Sequence, residues 1–244
     1  MKLTGTVAAS VIQGFNSLQQ LPFQCNFSFT ANIFPSFISE KNMILRINPD
    51  NPQIRLIKTV VELLNNGGII AYPTDTTYGI GCSIFNKRGI ERIYLLKQRE
   101  KKKPFSFICS DISEVSRYAK VSNYAFKILK RYLPGPYTFV LTASNVVPDL
   151  LVTKQKTVGI RIPSNKICLE IVQQLGHPII TTSANISGEE PIGDPEKVER
   201  DLGKKLDMVI DGGVLSADVS SVVSLIDDVP ALLRKGVGDV GWCQ

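Results

Sequence analysis

The sequence predicts an α/β fold built on one mixed sheet. Three observations carry that expectation. Short apolar runs of strand length recur along the chain, and helical stretches with a single apolar face lie between many of them. The late strands follow one another closely, so the order is not a pure alternation of strand and helix. The chain has 244 residues, 43% hydrophobic and 20% charged, which is enough for one large domain, with or without an appendage.

The first 42 residues stand apart. They hold one acid, Glu40, and two bases, Lys2 and Lys41, and show neither helical period nor strand alternation. Thr6, Ser10, Gln13 and Asn16 interrupt the apolar stretch a secretory signal needs, and the arginines of a transit peptide are missing. Residues 1–42 are read as a poorly ordered extension; a start at Met43 and a targeting role are the alternatives. Residues 43–244 are read as the folded domain.

From Met43 the elements follow in order. "MILRI" is a strand. In "NPDNPQIRLIKTVVELLNNGG", Ile54, Ile57, Val60, Val61 and Leu64 repeat with the period of one buried helix face, and Gly67 and Gly68 close it. "IIAY" is a strand. "NKRGIERIYLLKQR" is a helix with Ile90, Ile93, Tyr94 and Leu96 inward. "FSFIC" is a strand. "DISEVSRYA" opens with Asp111 and Glu114 in a capping-box spacing. "NYAFKILKRYL" is a helix stopped by "PGP". "YTFVLTA", "TVGIRIP", "PIITTSA", "MVIDGG", "SSVVSLI" and "ALLRKG" are strands, with helices at 164–175 and 194–204 between some of them.

Composition removes several function classes. The five cysteines, Cys25, Cys82, Cys109, Cys168 and Cys243, contain no CxxC pair, against a disulfide framework and a zinc site; reduced thiols in a cytoplasmic protein are expected. With one histidine, His177, no two-histidine metal motif exists, and a Ser-His-Asp triad would need this residue, which "LGHPII" puts in a loop before a strand. No apolar run reaches the roughly 20 residues of a membrane helix. Glycine-rich dinucleotide and Walker fingerprints and internal repeats are absent. The net charge of +6 suits an anionic ligand or a nucleic acid.

Polar residues gather where strands end. "YPTDTTYGIG", "PIITTSANISG" and "DVSSVVSL" each carry an apolar strand next to Thr, Ser and Asn. Such groups can bind amino-acid, ribose or phosphate oxygens at the strand ends of an open sheet. Each cluster alone reads more readily as turn chemistry. A fourth stretch, "LLKQREKKKPFSFIC", packs Lys97, Arg99, Lys101, Lys102 and Lys103 between a helix and a strand; a solvated face is its plain reading. Arg161 and Arg234, however, sit inside apolar strands, where a charge is costly unless it meets an anion or a partner. Together these features suggest a pocket for a polyanionic small molecule.

In this order, GGIIAYPTDTTYGIG, the Lys97-x-Arg99 pair, PGPYTFVL, TVGIRIP, the Ser183–Asn185 tripeptide and RKG resemble the YrdC-like family, from Met43 to about Val240. Its best-known members are threonylcarbamoyl-AMP synthases. The resemblance implies a twisted α/β sheet with flanking helices around a basic cavity. It implies a nucleotidyltransferase that joins L-threonine, bicarbonate and ATP into threonylcarbamoyl-AMP for tRNA modification, with Mg²⁺ carried by the nucleotide. Thr76, Arg161, Ser183 and Ser220 would hold threonine, Arg161 at its carboxylate. Lys97, Arg99, Lys103, Thr157, Asn185 and Arg234 would hold the nucleotide, with Lys97 and Arg99 as the catalytic pair at the phosphates. Gly79 and Gly81 would let backbone approach the ligand. "DISEVSRYAKVSNYAF" and "PGPYTFVL" look closer to the YciO-like branch. Asp75 replaces the family's usual glutamate, Glu100 its proline after the arginine, and Ser221 its threonine; "FSFIC" lacks the histidine common in that strand. The alternative is a double-stranded RNA- or tRNA-binding module of the same fold without turnover.

Overall fold

The computed structural model describes residues 44–98, 105–152 and 154–243. The expectations placed on residues 1–42, Arg99, Glu100 and Lys101 to Lys103 lie outside the described residues.

The described residues begin with β1 (Ile44–Arg46) and α1 (Ile54–Asn65), whose buried side is Ile57, Val60 and Leu64. Gly67 then turns with φ +88°, in the left-handed region that suits glycine. β2 (Ile70–Tyr72) and β3 (Gly79–Gly81) follow. α2 (Lys87–Leu96) starts at Asn86, whose side chain accepts from Gly89 N. β4 (Ser106–Ile108) leads to α3 (Ile112–Tyr118). Asp111 caps α3 by accepting from Glu114 N at 2.8 Å, but Glu114 reaches back to Ser110 N rather than to Asp111 N, so the capping box is only half formed. α4 (Asn123–Tyr132), β5 (Tyr137–Thr142), β6 (Thr157–Arg161) and α5 (Lys166–Leu175) come next. The C-terminal part comprises β7 (Ile179–Ser183), α6 (Pro195–Leu202), β8 (Met208–Asp211), β9 (Ser221–Ser224) and β10 (Ala231–Arg234).

Among the described residues ten strands form one twisted mixed sheet in the order β1-β8-β2-β3-β7-β4-β6-β5-β9-β10. β3 is the strand that the sequence reading folded into a turn cluster. It pairs antiparallel with β2 on one side and with β7 on the other, Tyr72 opposite Gly79 and Gly79 opposite Ser183. Two glycines in three residues leave no apolar run to read.

Side-chain alternation along the strands divides the two faces. Phe107, Phe139, Leu141, Val158, Ile160, Ile180 and Val223 enter the larger core, with α2 contributing Ile90 and Ile93. On the other face, α1 and α5 cover the sheet with Ile57, Val60, Leu64, Ile167, Ile171 and Val172 against Ile70, Tyr72, Ile108, Ile179 and Ile210. The rest of that second face, over β7, β4, β6, β5 and β9, is where the polar residues point.

Candidate active site

A cavity of about 410 Å³ opens there, within the range of small-molecule sites. Its floor is a set of alternate residues: Thr181 and Ser183 on β7, Ser106 on β4, Thr157, Gly159 and Arg161 on β6, Thr138 and Val140 on β5, and Val222 on β9. Thr181, Ser106, Gly159 and Val140 lie in register across four neighbouring strands. Gly159 makes a notch in this row, because a Cβ there would stand 2.7 Å from Ser106 Oγ. The three hydroxyl clusters of the sequence thus converge, although they meet on a sheet face and not only beyond strand ends.

The wall above β6 is the turn after β2. Thr74 Oγ1 accepts from Thr76 N at 3.1 Å and donates to Thr77 O at 2.6 Å, which folds the turn tightly. This presents Thr74, Asp75 and Thr76 to Arg161. Arg161 Nη2 donates to Thr76 Oγ1 at 2.7 Å, to Thr74 Oγ1 at 3.2 Å and to Asp75 Oδ1, with which it forms an ion pair. Asp75 Oδ2 also accepts from Ser164 N at 3.0 Å. Arg161 is 7% exposed, and its Nε is buried with no hydrogen-bond partner among the described residues. A buried guanidinium N–H without an acceptor is costly.

The opposite wall is Arg234 on β10. Its guanidinium donates to Ser220 O at 2.9 Å and 3.1 Å and to Ser220 Oγ at 3.2 Å, while Ser220 Oγ also meets Thr138 Oγ1 at 3.0 Å. Burial pulls the Arg234 pKa below its ordinary value, and the charge of Arg161 adds to the effect. Two guanidiniums therefore face one cavity with Asp75 neutralising one of them. Val140, Val222 and Leu233 give the Arg234 side an apolar stretch.

Of the residues expected at the site, Thr76, Thr157, Arg161, Ser183, Ser220 and Arg234 line the cavity. Lys97 and Asn185 do not; they bind each other beside it. Lys97, 2% exposed, donates from Nζ to Ser183 O at 2.7 Å and to Asn185 O and Oδ1, each at 2.5 Å. Asn185 Oδ1 also accepts from Ser183 Oγ at 2.6 Å. Lys97 thus ties the C-terminal end of α2 to the loop after β7. Arg99 and Lys103 lie outside the described residues.

Gly79 and Gly81 prove to make room for protein groups. A Cβ at Gly81 would lie 2.2 Å from Ile180 O, and one at Gly79 would lie 3.0 Å from Tyr72 Cζ. Sequence reasoning did not single out Ser106, Thr138, Gly159 or Tyr72. Alternation was a usable signal for the first three, but only once the strand order was known.

Cys82, Cys109, Cys168 and Cys243 are free thiols, and burial pushes the Cys82 thiol up to about 12, leaving it protonated and inert. His177 sits in the bend after α5, with Nε2 2.7 Å from Ser83 Oγ. Ser83 is 6% exposed and lies outside the cavity, so the pair is a structural clasp and no nucleophile. Among the described residues no helix is long and apolar enough to cross a membrane, and no group of three His, Cys, Asp or Glu is arranged for a metal ion. A more open hollow of about 750 Å³ beside β1 contains the Arg46–Asp211 pair and none of the expected site residues.

The class is a mixed α/β sheet with an arginine- and hydroxyl-lined cavity on one face. The chain belongs to the Sua5/YciO/YrdC family: the family model described as "Telomere recombination" matches residues 62–236. It is 44% identical over 196 residues to the uncharacterized protein YciO of Escherichia coli strain K12, covering 80% of this chain and 95% of YciO. The crystal structure of E. coli YciO matches with a TM-score of 0.79 at 42% identity, over 82% of this chain and 98% of that one. Over 202 residues it is 36% identical to the putative threonylcarbamoyl-AMP synthase of Methanocaldococcus jannaschii, covering 81% of this chain and 94% of that protein. The crystal structure of Pyrococcus abyssi Sua5 complexed with L-threonine matches with a TM-score of 0.75 at 30% identity, over 80% of this chain and 57% of that one.

Proposed function

We propose that the chain is a nucleotidyltransferase that joins L-threonine, bicarbonate and ATP into threonylcarbamoyl-AMP, releasing pyrophosphate, as a step toward tRNA threonylcarbamoyladenosine. The observation that carries the reading is that Arg161, whose buried Nε–H has no acceptor among the described residues, lines the same cavity as a second guanidinium, Arg234. A carboxylate is the acceptor such a donor lacks, and an arginine can grip it in two-pronged geometry. Relatives that include a putative threonylcarbamoyl-AMP synthase, and the Sua5 structure holding L-threonine, support that choice of ligand.

The chemistry asks little of side chains as nucleophiles. The threonine amine captures bicarbonate as a carbamate, with loss of water. A carbamate oxygen then attacks the α-phosphate of ATP, and pyrophosphate leaves. Positioning and charge stabilisation suffice for such a displacement. Arg161, Thr76, Ser183 and Ser220 would orient the amino acid, while Arg234 would balance charge on the nucleotide, with Thr157 beside it and the base along Val140, Val222 and Leu233. Mg²⁺ would be carried by the phosphates. Lys97 would act on the nucleotide through the Ser183–Asn185 loop it holds.

The test is pyrophosphate release by the purified chain with ATP, Mg²⁺ and bicarbonate, with and without L-threonine. Threonine-dependent release that disappears in Arg161→Ala is expected. Folded protein that releases no pyrophosphate at any threonine concentration would sink the synthase reading, and salt-sensitive RNA binding by that protein would favour the binding module instead.

A further inference from the structure

Tyr72 is fully buried and reads in the sequence as an ordinary core residue. Its ring crosses under β3, where a Cβ at Gly79 would lie 3.0 Å from Cζ and one at Gly81 would lie 3.1 Å from Cε1. Only glycine at those two positions leaves it that path. Its phenol reaches β7 and donates to Thr181 Oγ1 at 2.5 Å. Burial raises the Tyr72 pKa well above the ordinary tyrosine value, so the phenol stays a donor.

The hydroxyl of Thr181 accepts that proton and keeps one of its own. Among the described residues no protein acceptor takes it, and Thr181 lines the cavity. A phenylalanine at 72 facing a valine at 181 would fill similar space without burying polar groups, so packing alone does not call for the pair.

We propose that Tyr72 is a positioning residue of the cavity. Reaching across β3 it fixes the Thr181 hydroxyl as a proton donor to the ligand, so the ligand atom seated on Thr181 is an acceptor oxygen of an oxyanion. On the function proposed above, on which this assignment of the ligand rests, that oxyanion is the amino-acid carboxylate. Arg161 and Thr181 both line the cavity, each with a donor that finds no acceptor among the described residues, and a carboxylate has two oxygens.

The experiment uses the full chain as wild type, Tyr72→Phe, Thr181→Val, Thr181→Ser and the double variant Tyr72→Phe/Thr181→Val, and measures kcat and the KM values for L-threonine and ATP. Tyr72→Phe and Thr181→Val are each expected to raise the threonine KM about tenfold, the size of one hydrogen bond to a charged group, with the ATP KM within about twofold of wild type. Thr181→Ser should restore the threonine KM, and the double variant should be no worse than Thr181→Val. The proposal is overturned if the Tyr72→Phe effect persists undiminished beside Thr181→Val, if both KM values rise together, or if no KM changes. Should wild type neither bind nor turn over L-threonine, the same proteins are titrated calorimetrically with inorganic pyrophosphate. Pyrophosphate binding that weakens in Tyr72→Phe, but not further beside Thr181→Val, would end the threonine reading and sustain the role of Tyr72. Pyrophosphate binding that is absent or indifferent to both residues would end both.

Discussion

Lys97 and Asn185, 88 positions apart in the chain, are joined twice, through the asparagine's backbone carbonyl and its side-chain oxygen, both 2.5 Å from one buried ammonium. A third acceptor is Ser183 O at 2.7 Å. The geometry of the Ser183–Asn185 loop, and with it one edge of the cavity, therefore depends on a charge that is not itself in the cavity.

Lys97→Met keeps the aliphatic stem and removes the charge. It removes three hydrogen bonds from a site that is 2% exposed, although Asn185 Oδ1 keeps Ser183 Oγ and Ser183 O keeps Asn185 N as donors. Hydrogen bonds to charged groups contribute about 1.5–3 kcal/mol each and are not additive, so a loss of about 2–4 kcal/mol in urea unfolding is expected. A loss below about 0.5 kcal/mol would show that the ammonium does not hold the loop.

Asp75→Asn leaves the Arg161 guanidinium in place, 9% exposed, without its compensating charge. Breaking a buried pair from one side costs about 3–5 kcal/mol. The variant should melt earlier than wild type and should regain more stability than wild type does on addition of L-threonine, because the ligand's carboxylate would supply the missing charge. Equal ligand-induced shifts in the two proteins would separate Arg161 from the carboxylate.

Gly159→Ala sets a Cβ 2.7 Å from Ser106 Oγ, in the middle of the cavity floor. The clash is with a side-chain oxygen that can turn, so the fold should survive with a cost of about 1–2 kcal/mol. Ligand affinity should fall about tenfold or more. Ser106→Gly in the same protein should recover it, and failure of that rescue would place the damage elsewhere.

His177 supplies a pH signature. Burial lowers its pKa from the ordinary 6.5, opposed by a hydrogen bond to the Leu175 backbone. Below pH about 6.5 the unfolded chain takes up a proton that the folded chain accepts only at lower pH. The contribution of this site is thus complete above about 6.5 and is lost as pH falls through the lowered folded value. Urea midpoints from pH 7.5 to 5 should show wild type losing stability relative to His177→Asn, a comparison that cancels the carboxylates. A constant difference across that range would mean that the 2.7 Å contact with Ser83 does not depend on a neutral ring.

Most elements were legible because their signal is local. The helix with Ile57, Val60 and Leu64 inward, and the strands "YTFVLT" and "TVGIR", follow from periodicity alone. The strand Gly79–Gly81 was not legible, since its identity comes from partners on both sides and its glycines from the Tyr72 ring that passes beneath them. Arg161 and Arg234 stood out as charges in apolar strands, and the structure brings both to the cavity. Lys97 read as part of a basic run, and only the resemblance put it at the phosphates; it turns toward the loop oxygens, because a helix C-terminus beside three acceptors decides its direction and nothing in its own segment encodes them.

The five strands under the cavity lie side by side as β7-β4-β6-β5-β9, an order unlike their order in the chain. Any contiguous fragment that keeps them all spans from Ser106 to Ser224. A ligand seated on them recognises only the closed sheet, so its binding free energy is added to global unfolding and not to local opening. Amide hydrogens of β8, buried along its whole length and lining no part of the cavity, should therefore exchange more slowly by the full factor of 1 + [L]/Kd when they exchange through global unfolding. Amides released by fraying of exposed turns should keep their rates.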